Sequence, residues 1–485
     1  MENKVEKYTI ISGLFWRYGE RICAQGVQFV VSIVLARLLT PEAYGYVGLV
    51  TVFISIATVF VQSGFGNALV QRKDANQVDF SSVFYFNIFF STVLCIIIQL
   101  IAPIVAEFYG AEELLTPVIR VLALSLILAG INSVQQAFVS RNMIFKKFFY
   151  ATIIGTVISA FTGIFAAYKG MGIWALVIQQ LTNQTIDTIV LWMTVKWRPI
   201  HKVSFQRLRL LFSFGWKLLC SSLIDTVYNN IYSLIIGKFY DSASVGYYNR
   251  GKNIPNLVIA NINSSIQSVM FPAYAKEQGN KERVKQMVRR SIMISTFLVF
   301  PCMLGLLAVA EPLTILLLTE KWRPCIIYMQ YCCFIYAFWP IHTSNLQAIS
   351  AIGRSDIYLK LEIIKKVLGI FILILTLPFG LNVMMIGRCI NTVIASLLNA
   401  APNKKLLGYS YAEQLNDIFP NAVLSIGMCV CVYAVNMLSV GNFIKLSIQI
   451  PLGVIIYMIG AKLMKLKSME YILNIMKNMK LQVRL

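Results

Sequence analysis

The stretches LARLLTPEAYGY (residues 35–46) and IGKFYDSASVGY (residues 236–247) lie 201 positions apart and read alike. In each, an apolar helix ends in a cation (Arg37, Lys238) and a short polar turn comes next. A Gly-Tyr pair (Gly45 and Tyr46, Gly246 and Tyr247) then opens the next helix. The flanking runs, 12–37 with 44–68 and 212–237 with 245–273, are long enough to make each turn a connection between two membrane spans. A duplicated unit of this kind points to a transporter built from internal repeats. Six apolar stretches precede the basic segment KWRPIHKVSFQRLRLL (196–211), and six more lie between it and residue 403. An even number per repeat predicts two lobes of the same orientation, related by an axis along the membrane normal.

Composition leaves little room for another class. Of 485 residues, 58% are hydrophobic and 13% are charged, and the mean hydropathy is +0.69. Soluble domains are nearer about 45–50% and about 25%. A soluble enzyme, a disordered chain, a collagen and a disulfide scaffold are thereby excluded. About fourteen apolar stretches run from 12–37 to 443–464, of which only 245–273 is too polar for a strict hydropathy test. The predicted fold is an all-α polytopic membrane protein. Its N-terminal lobe is 1–195, succeeded by a cytoplasmic amphipathic linker at 196–211 that suits a helix on anionic lipid. The C-terminal lobe is 212–402, two more helices lie in 403–464, and 465–485 is a basic cytoplasmic tail.

Charge is arranged around the membrane. Lys and Arg number 43 and Asp and Glu 21, a net charge of +22. Thirty of the 43 basic residues fall in one set of alternate loops, eight in the opposite set and five inside spans. This bias keeps its phase along the chain and predicts both termini in the cytoplasm. No basic groove interleaved with stacking aromatics occurs, so nucleic acid is not an expected partner. The ten cysteines form no C-x-x-C pair and read as free thiols packed as small hydrophobes. The first span reads as an uncleaved insertion signal. Without a Walker loop, an H-E-x-x-H or a nucleophile elbow, the expectation is a secondary transporter or facilitator, with no catalytic residue, metal or cofactor.

Charges inside spans are costly and face water or a partner. The first helix carries Arg17, Glu20 and Arg21 on one face. Further along come Arg120, Asp187, Lys217, Asp225 and Arg388, and Arg250 and Lys252 open the eighth span. The seven cations outnumber the three acids, which predicts a net positive cavity able to bind an anion. Arg17, Arg120 and Lys217 also lie close enough to helix ends to snorkel to headgroups. Glu20, Asp187 and Asp225 are the candidate ion-coupling residues. A polar stripe of Asn249, Asn253, Asn256, Asn263 and Gln267 recurs at helical spacing along the eighth span, which Pro255 and Pro272 bend. Amides in a span either join helices or line a wet cavity, where they suit sugar hydroxyls. The sixth span adds Gln179, Gln180, Asn183 and Gln184, and the tenth adds His342, Thr343 and Asn345. His342 reads either as a proton relay or as a hydrogen-bonded structural residue.

Several motifs in order carry a resemblance. They are LARLLTPEAYG (35–45), FGNALVQRKD (65–74), VGYYNRGKNIPNL (245–257), FPAYAK (271–276), EKWRP (320–324) and AIGRSD (351–356). With them the chain resembles the Wzx-type lipopolysaccharide and teichuronic-acid flippases of the multidrug/oligosaccharidyl-lipid/polysaccharide (MOP) exporter superfamily, from about residue 10 to 400. The resemblance implies two six-helix lobes around a V-shaped cavity in the bacterial inner membrane. It also implies transfer of an undecaprenyl-pyrophosphate-linked oligosaccharide, such as an O-antigen unit, to the outer leaflet. Expected partners are that lipid-linked glycan, membrane lipid, H+ or Na+ as coupling ion, and a polysaccharide polymerase and glycosyltransferases. The matched motifs carry Arg37, Arg72, Lys73 and Arg250 directly, while the cavity assignment of Arg17, Arg21, Arg120 and Arg388 lies outside them. A cation-coupled multidrug antiporter of the same superfamily is the alternative, and it would favour acidic and aromatic residues.

Overall fold

The computed structural model describes residues 2–62, 64–72 and 74–473; for residues 2–15, 17, 18, 67 and 214 the description is of the backbone. The described residues are helical apart from short turns and loops, and no strand occurs among them. The chain forms two compact units, one through Gly246 and one from Tyr247.

The first unit holds α1 (Glu2–Leu38), α2 (Pro41–Gln62), the short α3 (Phe65–Gln71) and α4 (Gln77–Phe108). It continues with α5 (Glu112–Arg141), α6 (Lys146–Tyr168), α7 (Ile173–Thr194) and α8 (Phe205–Phe239). The helix α8, which its place in the sequence assigns to the C-terminal lobe, packs here on α2, α3 and α4. Local chemistry sets the helix ends. The Asn76 side chain accepts from the Asp79 amide at 3.2 Å, and the Asp79 carboxylate accepts from the Asn76 amide at 2.9 Å, a reciprocal cap that starts α4. Gly110, at φ +66°, ends that helix with the Ala111 amide bonded back to the Ala106 carbonyl at 3.1 Å.

Between helices, small residues allow close approach. A Cβ on Gly130 of α5 would lie 2.4 Å from Ser91 Oγ and 3.0 Å from the Asn87 carbonyl of α4. Beside it Asn87 Nδ2 donates to Ser133 Oγ at 2.8 Å. The two copies of the repeated turn also meet. A Cβ on Gly45 would lie 1.7 Å from the Ser242 carbonyl, and one on Gly246 would lie 2.2 Å from the Pro41 carbonyl. On the outer faces, Leu100, Ile104, Phe161 and Phe165 are exposed, as a lipid environment requires.

The linker differs from the surface helix expected of it. Residues 195–204 are not helical, and helix resumes only at Phe205. The reason is long-range capture of its backbone. The Ile200 and Ser204 amides donate to the hydroxyls of Ser81 and Ser82, each at 2.9 Å. Trp197, buried, donates from Nε1 to Gln77 Oε1 at 2.8 Å. Arg198 turns back onto the Val195 carbonyl at 2.6 Å and caps the end of α7. Where helix resumes, Arg207 pairs with the fully buried Asp79 carboxylate at 2.8 Å.

The long helix α9 (Ser242–Lys276) leads into the second unit. Next come α10 (Lys281–Ala308), the short α11 (Ala310–Leu318), α12 (Cys325–Ala337) and α13 (Trp339–Ala351). The unit ends with α14 (Ser355–Thr376), α15 (Leu381–Leu407), α16 (Tyr411–Ala434) and α17 (Asn442–Leu463). α10 packs on α12, α13 and α16. A buried amide cluster ties three helices together. Asn403 Nδ2 donates to Asn345 Oδ1 at 2.6 Å, and Asn345 Nδ2 donates to Gln414 Oε1 at 2.9 Å. Asn345 and the neighbouring Thr343 and His342 therefore act here as interhelical glue, with His342 Nδ1 bonded to Asn399 Nδ2 at 2.9 Å.

Among the described residues ten helices are long and apolar enough to cross a membrane, or eleven if the bent Phe205–Phe239 pair is one span. α7, α9 and α14 are long enough but carry too much polarity, with Asp356, Lys360, Glu362, Lys365 and Lys366 all on α14.

Candidate functional site

In the first unit, α1, α2, α5, α6, α7 and α8 surround a cavity of about 650 Å³. Each helix presents one face to it. On α2 the residues Thr51, Ser55, Thr58 and Gln62 succeed one another three or four apart. On α5 the wall runs through Leu122, Ser125, Ala129, Asn132 and Gln136, also three or four apart. α7 contributes Gln179, Gln180, Asn183, Gln184 and Asp187, α6 contributes Thr156 and Ser159, and Gln28 and Thr226 complete the polar wall. Eight amides, seven hydroxyls and one carboxylate thus face this space, and no aromatic ring is among the described lining residues.

The wall is internally bonded. Asn132 Nδ2 donates to Asp187 Oδ2 at 2.8 Å. Asn183 Nδ2 donates to Ser159 Oγ at 3.2 Å, and Gln180 Nε2 donates to Thr51 Oγ1 at 3.3 Å. Glu20 is buried, accepts from Thr152 Oγ1 at 3.1 Å, and stands near enough to Asp187 for the two charges to repel. The hydroxyl row of α2 is the part that sequence reasoning missed. Its signal was present as polar residues at helical spacing, but Thr and Ser are mild enough to pass as tolerated span residues.

The expected cations separate into two groups. Arg21, Arg120 and Lys217 are exposed and do not line this cavity. Arg120 donates from Nε to the Gln99 carbonyl at 3.4 Å. The side chain of Arg17 lies outside the described residues, as does Lys73. Arg72 is clasped by Asp74 at 2.9 Å in the loop after α3.

Arg250, Lys252 and Arg388 come together in the second unit. Gly251 lets α9 nest on α12, since a Cβ there would lie 2.7 Å from the Met329 amide nitrogen. The residues flanking it are thereby fixed. Arg250 is buried, with its guanidinium 5.6 Å from the ring centre of the fully buried Trp322. Arg388 reaches from α15, donates to the Tyr248 hydroxyl, and stands 5.9 Å from that ring's centre. Lys252 lies within electrostatic reach of Arg388.

The stripe on α9 is mixed. Asn253 and Gln267 are exposed, Asn249 and Asn256 are half-buried, and Asn263 accepts from Thr343 Oγ1 of α13 at 2.5 Å. Asp225 is exposed on α8. No group of three or more His, Cys, Asp or Glu side chains able to hold a metal occurs among the described residues.

A family model described as "Polysaccharide biosynthesis protein" matches residues 34–327. Among curated proteins, the teichuronic acid biosynthesis protein TuaB of Bacillus subtilis (strain 168) is 25% identical over 350 residues, 72% of each chain. The lipopolysaccharide biosynthesis protein WzxC of Escherichia coli (strain K12) is 22% identical over 89% of this chain and 88% of its own. The succinoglycan biosynthesis transport protein ExoT of Rhizobium meliloti (strain 1021) is 25% identical over 66% of this chain and 65% of its own. Among solved structures, a lipid II flippase MurJ in an inward closed conformation shares the fold with a TM-score of 0.75 at 14% identity, over 94% of this chain and 98% of that one. An inward-facing multidrug resistance MATE family transporter of the MOP superfamily shares it with a TM-score of 0.63 at 16% identity, over 80% and 98%.

Proposed function

Because this chain belongs to the polysaccharide biosynthesis protein family, we propose that it is a flippase for a lipid-linked oligosaccharide. It moves an undecaprenyl-pyrophosphate-linked glycan across the bacterial inner membrane for cell-surface polysaccharide assembly, and it is a transporter, not a catalytic enzyme. The observation that carries this reading is the cavity wall of eight amides and seven hydroxyls. Amides offer both donors and acceptors, which is what a sugar's hydroxyls need. A pocket for apolar cationic drugs would instead be lined by aromatic rings. The relatives named for lipopolysaccharide, teichuronic acid and succinoglycan biosynthesis support the same substrate class.

Arg250, Lys252 and Arg388 are the residues we assign to the pyrophosphate, since guanidinium and ammonium groups bind phosphate oxygens through charge-assisted hydrogen bonds. The prenyl chain stays in lipid. The glycan is exposed first to the cytoplasm and then to the outer face by alternating access. Both termini are cytoplasmic, a placement that the thirty-to-eight distribution of basic residues supports. The span number is about fourteen, arranged as lobes 1–195 and 212–402. Glu20, Asp187 and Asp225 are the acids through which an H+ or Na+ gradient acts, and a polymerase and glycosyltransferases are the partners before and after transfer.

The test is flipping in proteoliposomes. A labelled undecaprenyl-pyrophosphate oligosaccharide is loaded, and its accessibility to an external glycan-modifying reagent is tracked with and without a proton or sodium gradient. Transfer by the native chain, lost in Arg250→Ala and Arg388→Ala variants that still insert, is the expected result. Full transfer by both variants refutes the phosphate assignment. No transfer, beside efflux of a cationic dye from the same vesicles, refutes the flippase.

A further inference from the structure

The cavity of the first unit has a charge character of its own. Its described lining residues include no Lys, Arg or His, and its one ionisable wall residue is Asp187. The carboxylate is held in place by Asn132 at 2.8 Å, and Glu20 stands behind it within repulsive reach. Of the expected cations on these helices, Arg21 and Arg120 are exposed and off the wall, and the side chain of Arg17 lies outside the described residues. The remaining polar groups of the described wall are amides and hydroxyls, which are neutral at every working pH.

A sugar carrying a carboxylate would bring a second negative charge into a space whose described lining residues carry a single charge, the negative one of Asp187. Like charges a few ångströms apart repel most strongly where water is scarce. A neutral sugar meets no such penalty, and an amino sugar gains from it. Discrimination built on repulsion needs one charge in the right place and no further contact.

We propose that the glycan carried by this protein is uncharged or bears amino groups, that acidic sugars such as uronates are excluded, and that Asp187 is the residue that excludes them. This rests on the flippase reading above. It adds the charge class of the cargo.

The experiment uses the full chain in proteoliposomes with two synthetic undecaprenyl-pyrophosphate disaccharides. They are identical except that the outer sugar is glucose in one and glucuronate in the other. The native chain is expected to flip the glucose form about tenfold faster or more, the scale of one repulsive contact. Asp187→Asn keeps hydrogen-bonding capacity, and its expected effect is to raise the ratio of the glucuronate to the glucose rate about tenfold, read without an ion gradient so that any loss of coupling falls on both forms alike. Gln180→Lys, at an exposed wall position, is the second variant and is expected to favour the glucuronate form. It keeps the test decisive where Asp187→Asn fails to fold.

Equal native rates for both disaccharides overturn the proposal and leave the flippase reading intact. A rate ratio left at its native value in Asp187→Asn also overturns it, whatever the absolute rates, because the acid then does not act on the charge of the sugar. Movement of neither disaccharide removes the flippase reading, and the proposal falls with it.

Discussion

Arg207→Ala is expected to release the linker by a calculable amount. The Asp79 side chain is fully buried, while that of Arg207 is 37% exposed, and the pair meets at 2.8 Å. Removing one partner of a fully buried ion pair costs about 3–5 kcal/mol. Here the arginine is partly hydrated, so the lost attraction is smaller. The orphaned carboxylate also keeps its bond from the Asn76 amide at 2.9 Å. It stays in the first turn of α4, where the helix dipole contributes about 0.3–1 kcal/mol. What remains is about 2–3 kcal/mol. At about 1.4 kcal/mol per factor of ten, the population with a detached linker rises about 30- to 140-fold. Limited trypsin digestion reads this directly, with cleavage scored by mass after Lys196 and Lys202 under conditions where the linker recloses faster than it is cut. The Asp79→Asn, Arg207→Ala double variant removes the buried charge as well, and it should recover much of the loss. Cleavage of Arg207→Ala within about twofold of the native rate would refute the reasoning, as would a double-mutant coupling energy below about 0.5 kcal/mol.

Other substitutions probe packing and caps. Gly45→Ala places its Cβ 1.7 Å from a backbone carbonyl, so a loss of about 1–3 kcal/mol or more is expected in thermal unfolding. Gly26→Ala, with no atom within 4 Å of its Cβ, is the matched control and should be neutral or stabilising. Asn403→Ala removes a donor to the buried Asn345 side-chain oxygen at 2.6 Å and should cost about 1–3 kcal/mol by the same measurement. Ser410→Ala deletes the side-chain cap of α16, worth about 1 kcal/mol, and amide hydrogen exchange at Glu413 should quicken accordingly.

The membrane class and the repeated turn could be read from the chain because hydropathy and local spacing are one-dimensional signals. Gly45 and Gly246 stood out as matching positions of that turn, but the close backbone approach they permit, copy against copy, shows only in the fold. The linker was harder. KWRPIHKVSF has the composition of a surface helix, yet the hydroxyls of Ser81 and Ser82, more than a hundred residues earlier, take its backbone amides. Asp79 likewise reads as an ordinary helix-capping acid until Arg207 is beside it. For the cations, the limiting quantity was helix phase. Arg120 lies two residues before Leu122, about 200° round the helix from the face that carries Ser125, Asn132 and Gln136. That much could have been worked out from spacing alone. The meeting of Arg250 with Trp322, or of Arg388 with Tyr248, could not, because each joins helices whose pairing is fixed only by tertiary packing.

The amide wall of the first unit has a kinetic consequence. Part of the wall is already bonded to itself, as Asn132 is to Asp187 and Gln180 to Thr51, and its open groups are solvated before a sugar arrives, so each new hydrogen bond replaces one of similar strength, for a net gain of only about 0.5–1.5 kcal/mol. Such a wall holds its cargo briefly and is indifferent to the order of the sugars along the chain. Brief residence is an advantage for a carrier, because a tightly held glycan would leave it stalled and loaded. Fidelity to one repeat unit must then come from the enzymes that build it and from the few charged groups that meet it.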